Sequence, residues 1–381
     1  MILTAGQENG LKIAVERYKN REPYTVIGGY AGTGKSTLVQ YIIDALGLCE
    51  EDVVYIAYTG KASLVLRNKG CENAITAHRL LYYATEKPDR TYEFKPKRRL
   101  DYNYKLIVLD ECSMLSQEMW ELLLSHHVHV IALGDPGQLP PIDGDSTILN
   151  NTHVMLDEVV RQAQDNPIIR LSMDIRAGKY INYSTEEKEC RIIRPEEVTD
   201  RLLIGADQIL CGKNITRHAI NERMRRIKYG EQYTPGPMNG DKVICLHNEW
   251  QSLGSNGEPL VNGLVGTIDN IILSNGSKLY SPKMITDFTS DNNGLYQGIQ
   301  MDYKIFTEKE TTINKDNWWK YKKIQRAYEF DYAYAVTVHK YQGSEAEKIV
   351  VFDEWLKDKD HHSRWLYTAV TRASKRLVVV K

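Results

Sequence analysis

Short, unbroken apolar runs separated by stretches of helical length set the rhythm of the first 155 residues. The runs are 24–28 (YTVIG), 53–58 (VVYIAY), 106–109 (LIVL) and 128–133 (VHVIAL). Strands covered on both faces read as continuous apolar segments, so this pattern predicts an α/β domain with a buried parallel sheet. Residues 7–19 have the spacing of an amphipathic helix, and LVQYIIDALG after the first run predicts another, giving a strand–loop–helix unit. The stretch 83–105 interrupts the rhythm with Pro88, Pro96 and many charges, and predicts a small excursion of hairpin type. From about 156 the cycle restarts, with helical patterns at 158–177 and 215–229 around the apolar run 208–211. Between 242 and 306 the texture changes to short β-like runs (KVICLH, LVGTI, IILS, KLYS, GIQMDYKIF) separated by Gly, Asn and Asp. That predicts a β-rich insert, after which strand–helix–strand texture returns between Val350-Val351-Phe352 and Leu377–Val380. The expectation is two α/β domains, the second interrupted by a β-rich module.

Composition changes this picture little. A formal net charge of -1 excludes a global basic signature, so a nucleic-acid partner would be held by local basic stripes. The six cysteines (Cys49, Cys71, Cys112, Cys190, Cys211, Cys245) form no Cys-x-x-Cys pair, which argues against a zinc site or a disulfide framework. No apolar run approaches the ~20 residues of a membrane span, and the first residues lack the apolar core of a signal peptide. A cytoplasmic protein without membrane association is the expectation.

The strongest chemical signal is Gly29-Tyr30-Ala31-Gly32-Thr33-Gly34-Lys35-Ser36-Thr37, placed between a predicted strand and a predicted helix. In such a loop the glycines let backbone N–H groups close around phosphate oxygens, and the helix N-terminus adds positive dipole. Lys35 is expected to reach the β- and γ-phosphates and Ser36 to ligate Mg²⁺. The run Leu106–Leu109 ends in Asp110-Glu111, where Asp110 would hold the metal through water and Glu111 would polarise the attacking water. An Asp-Glu pair after a strand can equally cap a helix; the phosphate loop upstream is what turns it toward hydrolysis. A third strand exit, Gly134-Asp135-Pro136-Gly137-Gln138-Leu139-Pro140, lies at the same predicted sheet edge, where open α/β sheets bind ligands. Gln138 there could touch a γ-phosphate, or the segment could be a plain Pro/Gly turn.

Arg161 and Arg372, the latter in Tyr367-Thr368-Ala369-Val370-Thr371-Arg372, are candidate arginine fingers, with a surface salt bridge as the alternative for either. Basic and aromatic residues interleave at Tyr92–Arg99 (Tyr92, Phe94, Lys95, Lys97, Arg98, Arg99) and at 318–323 (Trp318, Trp319, Lys320, Tyr321, Lys322, Lys323). Base stacking and phosphate contacts, or ordinary packing and a solvated face, both fit such stretches.

Taken together the segments resemble superfamily 1 DNA helicases of the RecD/Dda type, almost end to end. The resemblance rests on Gln7, the phosphate loop, Ala57–Ala62 (AYTGKA), Thr76–Leu81 (TAHRLL), Asp110–Met114 (DECSM), Gly134–Pro140, Thr337–Glu345 (TVHKYQGSE) and Tyr367–Ala373 in family order. Tyr341 stands where that family often has a small residue. The resemblance implies two RecA-like P-loop domains with parallel sheets, at 1–155 and at 156–241 plus 327–381. It also implies a pin-like hairpin near 83–105 in the first and an SH3-like β-rich insertion at 242–326 in the second. ATP and Mg²⁺ would be the cofactors, with Gln7 on adenine, Gly32, Thr33, Gly34, Lys35, Ser36 and Thr37 on phosphates, and Gly343 and Glu345 near the ribose. Lys35, Asp110, Glu111, Gln138, Arg161 and Arg372 would be the catalytic set, and Ser36 and Asp110 the metal ligands. Thr59, Lys61, His78, Tyr92, Phe94, Thr337 and His339 would face single-stranded DNA. The implied activity is 5′ to 3′ movement on single-stranded DNA with unwinding at duplex junctions, by a monomer, in replication, repair or recombination beside a single-strand-binding protein or replisome component. Two other readings stay open: a nucleotide-gated nucleic-acid-binding ATPase that does not unwind, and an RNA-directed superfamily 1 helicase.

Overall fold

The computed structural model describes residues 3–86, 92–140, 147–179, 181–182, 189–274, 283–290, 294–307 and 328–381. The chain forms two compact units, one from Met1–Lys87, Tyr92–Pro195 and Gln342–Lys381, the other mainly from Glu196–Tyr341.

In the first unit, strands β1 (Tyr24–Gly29), β2 (Val53–Ala57), β3 (Ile75–Thr76), β6 (Leu106–Leu109), β7 (His129–Gly134) and β8 (Val154–Leu156) build a six-stranded sheet of order β3-β2-β6-β7-β1-β8. Every neighbouring pair in it is parallel. Alternate strand residues feed two separate cores. Val26, Val54, Ile56, Ile107, Leu109 and Val130 pack with Leu80, Leu81, Met119, Trp120 and Leu123 on one face. Ile27, Val53, Leu106, Val108, Ile131 and Leu133 pack with Ala14, Leu38, Val39, Ile42 and Ile43 on the other. Both faces being covered is why these strands read as unbroken apolar runs. The helix Ala5–Lys19 starts on a reciprocal cap, in which Thr4 accepts from the Gln7 N–H and the Gln7 side chain accepts from the Thr4 N–H. Gly10 lets this helix lie flat: a Cβ there would stand 2.8 Å from Val154 and 3.0 Å from Leu38.

Between β3 and β6 the chain forms β4 (Tyr82–Glu86) and β5 (Tyr92–Pro96), an antiparallel pair. The unit also holds β9 (Cys190–Ile193), β19 (Ala346–Phe352) and β20 (Ala373–Val380), parallel in the order β19-β20-β9. The helix Lys359–Val370 connects β19 to β20.

In the second unit, β10 (Gln208–Cys211) pairs in parallel with β18 (Ala335–Thr337). Beside them β11 (Lys242–Cys245), β14 (Val265–Ser274), β15 (Lys283–Ser290), β16 (Leu295–Asp302) and β17 (Phe330–Tyr332) form an antiparallel sheet of order β16-β15-β14-β11-β17. A short pair, β12 (Glu249–Leu253) with β13 (Pro259–Leu260), completes it. The helix Asn214–Tyr229 is tied to this unit by Arg225, which forks onto both carboxylate oxygens of Asp241 at 3.0 Å and stacks 4.2 Å from the Tyr332 ring.

Three sequence expectations change in detail. The single helix over 158–177 is two, Arg161–Gln164 and Pro167–Arg176, because Asn166 caps the second through the Ile168 and Ile169 N–H groups and Pro167 occupies its first turn. LVGTI and IILS are one strand, broken by a bulge at Asn270, whose φ is 50. GIQMDYKIF leaves the sheet at Asp302 and turns helical over Tyr303–Thr307. KLYS and the basic, aromatic stretch with Trp318, Trp319 and Tyr321 lie outside the described residues, as do the side chains of Tyr92 and Arg161.

Candidate functional site

The carboxyl ends of β1, β6 and β7 meet at one edge of the first sheet, and the sequence puts its polar signals there. After β1 the loop turns through Gly32 (φ 77) and Gly34 (φ 76), left-handed backbone that suits glycine, and enters the helix Lys35–Leu46. Gly29 allows the loop to close: a Cβ there would stand 2.8 Å from the Thr33 hydroxyl. Lys35 Nζ folds over the loop and donates to the Gly29 carbonyl at 2.6 Å and the Tyr30 carbonyl at 3.2 Å. The first-turn N–H groups of this helix have no side-chain cap, and Ser36 is exposed at its start. An uncapped helix N-terminus behind a glycine loop, with a lysine arched above it, is a cradle for phosphate.

Gln7 is buried beside the loop and donates from Nε2 to the Thr33 carbonyl at 3.1 Å. Its Oε1 accepts from the Thr4 N–H at 3.0 Å, so in this state both ends of the amide serve the protein.

At the end of β6, burial is the main cause that pushes the Asp110 carboxyl up to about 6, with the neighbouring Glu111 charge next and Lys35 opposing. A buried carboxylate at the exit of β6 and an exposed serine hydroxyl at the start of the phosphate-loop helix are oxygen donors suited to Mg²⁺. Asp110 and Ser36 are the residues that would hold the ion. Glu111 has φ 50, a left-handed conformation that costs a non-glycine residue about 1–2 kcal/mol. It is held there from both sides. Arg372 Nη1 lies 3.6 Å from Glu111 Oε1. With its amide oriented to satisfy both neighbours, Gln138 donates to Glu111 Oε2 at 3.1 Å and accepts from Arg372 Nη2 at 3.1 Å. Arg372 is itself buried and donates from Nε to the Thr368 carbonyl at 3.1 Å. Glu111, Gln138 and Arg372 thus form one chain of polar contacts. Arg372 is therefore not at the surface, and Gln138, just past the Pro136-Gly137 turn, turns its side chain to Glu111 and Arg372.

Asp135 also sits at this edge, buried, and accepts from the Gly137 N–H at 2.9 Å. Burial pushes its carboxyl up, with Lys35 opposing. Tyr367 donates to it at 2.8 Å. Neither Asp135 nor Tyr367 was singled out as a site residue by sequence; the nearest signal was that both lie in quoted motifs.

A model of the AAA domain family matches residues 3–193, half of the chain, and a model of the UvrD-like helicase C-terminal domain matches 332–380. The chain belongs to the superfamily 1 helicases of the RecD, Dda and Pif1 type. It is 31% identical over 195 residues to the ATP-dependent DNA helicase dda of Enterobacteria phage T4, covering 48% of this chain and 44% of that protein. It is 25% identical over 374 residues to the ATP-dependent RecD2 DNA helicase of Deinococcus radiodurans, covering 92% of this chain and 46% of that one. The chain therefore spans less than half the length of these curated relatives. Its fold is similar to that of a Bacteroides Pif1 helicase solved in complex with ADP-AlF3 and ssDNA, with a TM-score of 0.56, 18% identity, and coverage of 100% of this chain and 92% of that one.

The remaining residues of the helicase pattern fall in three places. Thr59 caps the helix Gly60–Asn68 by accepting from the Ala62 N–H at 3.1 Å, and Lys61 is buried in that helix's first turn. Gly343 (φ 70) packs against the same turn, where a Cβ would stand 3.0 Å from Ala62 Cβ. Glu345 pairs with Lys69, Nζ to Oε1 at 2.9 Å, so its carboxylate is engaged by a lysine in this state. His78 lies in an aromatic nest, 5.8 Å from the Tyr58 and Tyr82 rings and 5.9 Å from Phe94, and burial holds its imidazole below the ordinary value. Phe94 remains 42% exposed. Thr337, at the end of β18, and His339, in the short helix after it, belong to the second unit.

Proposed function

We propose that this chain is an ATP hydrolase that couples turnover to 5′ to 3′ movement on single-stranded DNA and to unwinding at duplex junctions. The observation that carries the reading is the Glu111–Gln138–Arg372 chain beside the phosphate loop and Asp110. A module that only binds nucleotide has no need for a carboxylate held in a strained conformation by an arginine and an amide. In this reading Lys35 and the loop amides grip the triphosphate, Glu111 orients and takes the proton of the attacking water, and Arg372 and Arg161 stabilise charge on the transferring phosphoryl group. Mg²⁺, when bound through Ser36 and Asp110, neutralises charge on the β- and γ-phosphates.

The DNA-facing set is Thr59, Lys61, His78, Tyr92, Phe94, Thr337 and His339, and the β4–β5 pair is the strand-separating pin. By their motifs, residues 1–155 are assigned to one RecA-like motor domain and 156–241 with 327–381 to the other, although 156–195 and 342–381 belong to the first compact unit. The antiparallel sheet within 242–326 is the SH3-like module. DNA as the substrate accords with the names of both relatives, ATP-dependent DNA helicases, and with the single-stranded DNA in the Pif1 complex. The protein works as a cytoplasmic monomer beside a single-strand-binding protein or replisome component.

Steady-state phosphate release with and without oligo-dT tests the motor reading. Turnover should be low alone and rise strongly with the oligonucleotide. Equal rates would remove the motor and favour a nucleotide-gated switch. Duplexes with 5′, 3′ and RNA tails then test polarity and substrate; unwinding of the RNA-tailed duplex alone would move the chain to the RNA-directed class.

A further inference from the structure

One phenol in the first unit touches two nucleotide-edge segments at once. Tyr367, on the helix Lys359–Val370, is 2% exposed. The Ala31 N–H of the phosphate loop donates to its Oη at 2.9 Å, and the same hydroxyl donates to Asp135 Oδ2 at 2.8 Å. The ring packs close to Gly137, where a Cβ would stand 3.1 Å from Tyr367 Cε1. The segment Asp135–Leu139 is strapped to this helix at two further points. Leu139 N–H donates to Thr368 Oγ1 at 2.9 Å, and Arg364 Nη1 donates to the Pro136 carbonyl at 3.1 Å. Two residues past the helix, Arg372 reaches Glu111 and Gln138. Burial pushes the Tyr367 phenol up, with the Asp135 charge adding to it, so the hydroxyl stays protonated and stays a donor throughout the neutral range.

The two hydrogen bonds fix the direction of the hydroxyl. One of its lone pairs accepts the loop amide and its proton goes to Asp135, so a single oxygen joins the two segments. A ring that served packing alone would need no hydroxyl in a buried site, where an unpaired one is costly.

We propose that Tyr367 is a positioning residue that carries the state of the phosphate loop to the helix ahead of Arg372. A shift of the loop on nucleotide binding pulls Oη, Asp135 and the helix together, and Arg372 moves relative to Glu111. This rests on the reading of the loop as an ATP site. It adds a path from phosphate to arginine that passes through protein alone.

Tyr367→Phe keeps the ring and removes only the hydroxyl. DNA-stimulated kcat should fall roughly ten- to a hundred-fold, the range spanned by a buried hydrogen bond to a charged group, while KM for ATP stays within about threefold. Hydrogen exchange on the nucleotide-free proteins gives a readout independent of turnover. Exchange in 29–33, 135–139 and 364–370 should speed up together in the variant, with Tm within a few degrees of wild type. A kcat within about twofold of wild type would overturn the proposal. So would a raised KM at unchanged kcat, which would make the hydroxyl part of the ATP grip. If the wild type itself shows no ATPase, the reading of the site fails, and exchange still decides the link: acceleration confined to 29–33 refutes it.

Discussion

Glu111→Gln should give a protein that is inactive and slightly more stable. The side chain keeps its size, so it can still meet Gln138 and Arg372, and Lys35, Ser36 and Asp110 are untouched. What goes is the carboxylate that takes a proton from water, and general-base removal costs typically 10²–10⁴ in rate. Nucleotide affinity should stay within about threefold, because none of the phosphate cradle has changed. The stability gain follows from Asp110. Its carboxyl is displaced from 3.8 to about 6, first by burial and second by the Glu111 charge. A carboxyl raised in the folded state binds its proton more tightly there than when unfolded. Its ionisation therefore removes stability progressively as pH rises from about 4 to about 6, and the loss is constant above that. Complete ionisation costs up to about 3 kcal/mol at ~1.4 kcal/mol per pH unit. Glu111 is the second cause, after burial, so its share is the smaller part of that cost, on the order of 1 kcal/mol. Relief of that charge should raise Tm by about 1–4 °C at pH 7.5, and the difference should vanish near pH 4, where Asp110 is protonated in both proteins. Phosphate release, titration with a fluorescent nucleotide and melting at the two pH values measure all three effects. Turnover within tenfold of wild type would refute Glu111 as the base. A Tm lowered at pH 7.5 would show that its attraction to Arg372 outweighs its repulsion of Asp110.

Two further substitutions probe the pin and the second unit. Phe94→Ala should reduce unwinding of a tailed duplex several-fold more than DNA-stimulated ATPase, with little change in Tm, because the ring is 42% exposed and meets its neighbours His78 and Tyr82 edge-on. Parallel loss of both activities together with Tm would make it a packing residue. Arg225→Met should cost about 3–5 kcal/mol in urea unfolding, since it strands the fully buried Asp241 and frees the carbonyls of Thr234, Pro235 and Gly236. Arg223→Met, which breaks the exposed pair with Asp200 and an exposed hydrogen bond to the Val198 carbonyl, should cost under about 1 kcal/mol, and equal costs would refute the argument from burial.

What the sequence made legible follows from how local each signal is. The strands β1, β2, β6 and β7 were readable within a residue or so, since two-sided burial leaves an unbroken apolar run and nothing nearby imitates it. The phosphate loop was readable because glycine, lysine and serine at that spacing between strand and helix answer one chemical need. The break at Asn166-Pro167 had its own local signal, a capping residue before a proline, but the apolar period runs on across it and dominated the reading. The bulge at Asn270 had a weaker one: asparagine tolerates positive φ, yet Asp269-Asn270 between two apolar runs looks the same as a turn. The polar pairings had no local signal at all. Ala31 and Tyr367 are separated by 336 positions, and Asp135 and Tyr367 by 232. Arg372 was suspected for its charge and its motif, whereas Tyr367, five residues earlier, reads as one more apolar position of a buried helix. Its chemistry resides in a single oxygen, and only the folded chain shows that the oxygen has an amide on one side and a carboxylate on the other. An arginine or a Walker-type carboxylate announces itself because its charge must be compensated somewhere; a tyrosine buried for its ring can carry a second, polar role that burial pattern alone conceals.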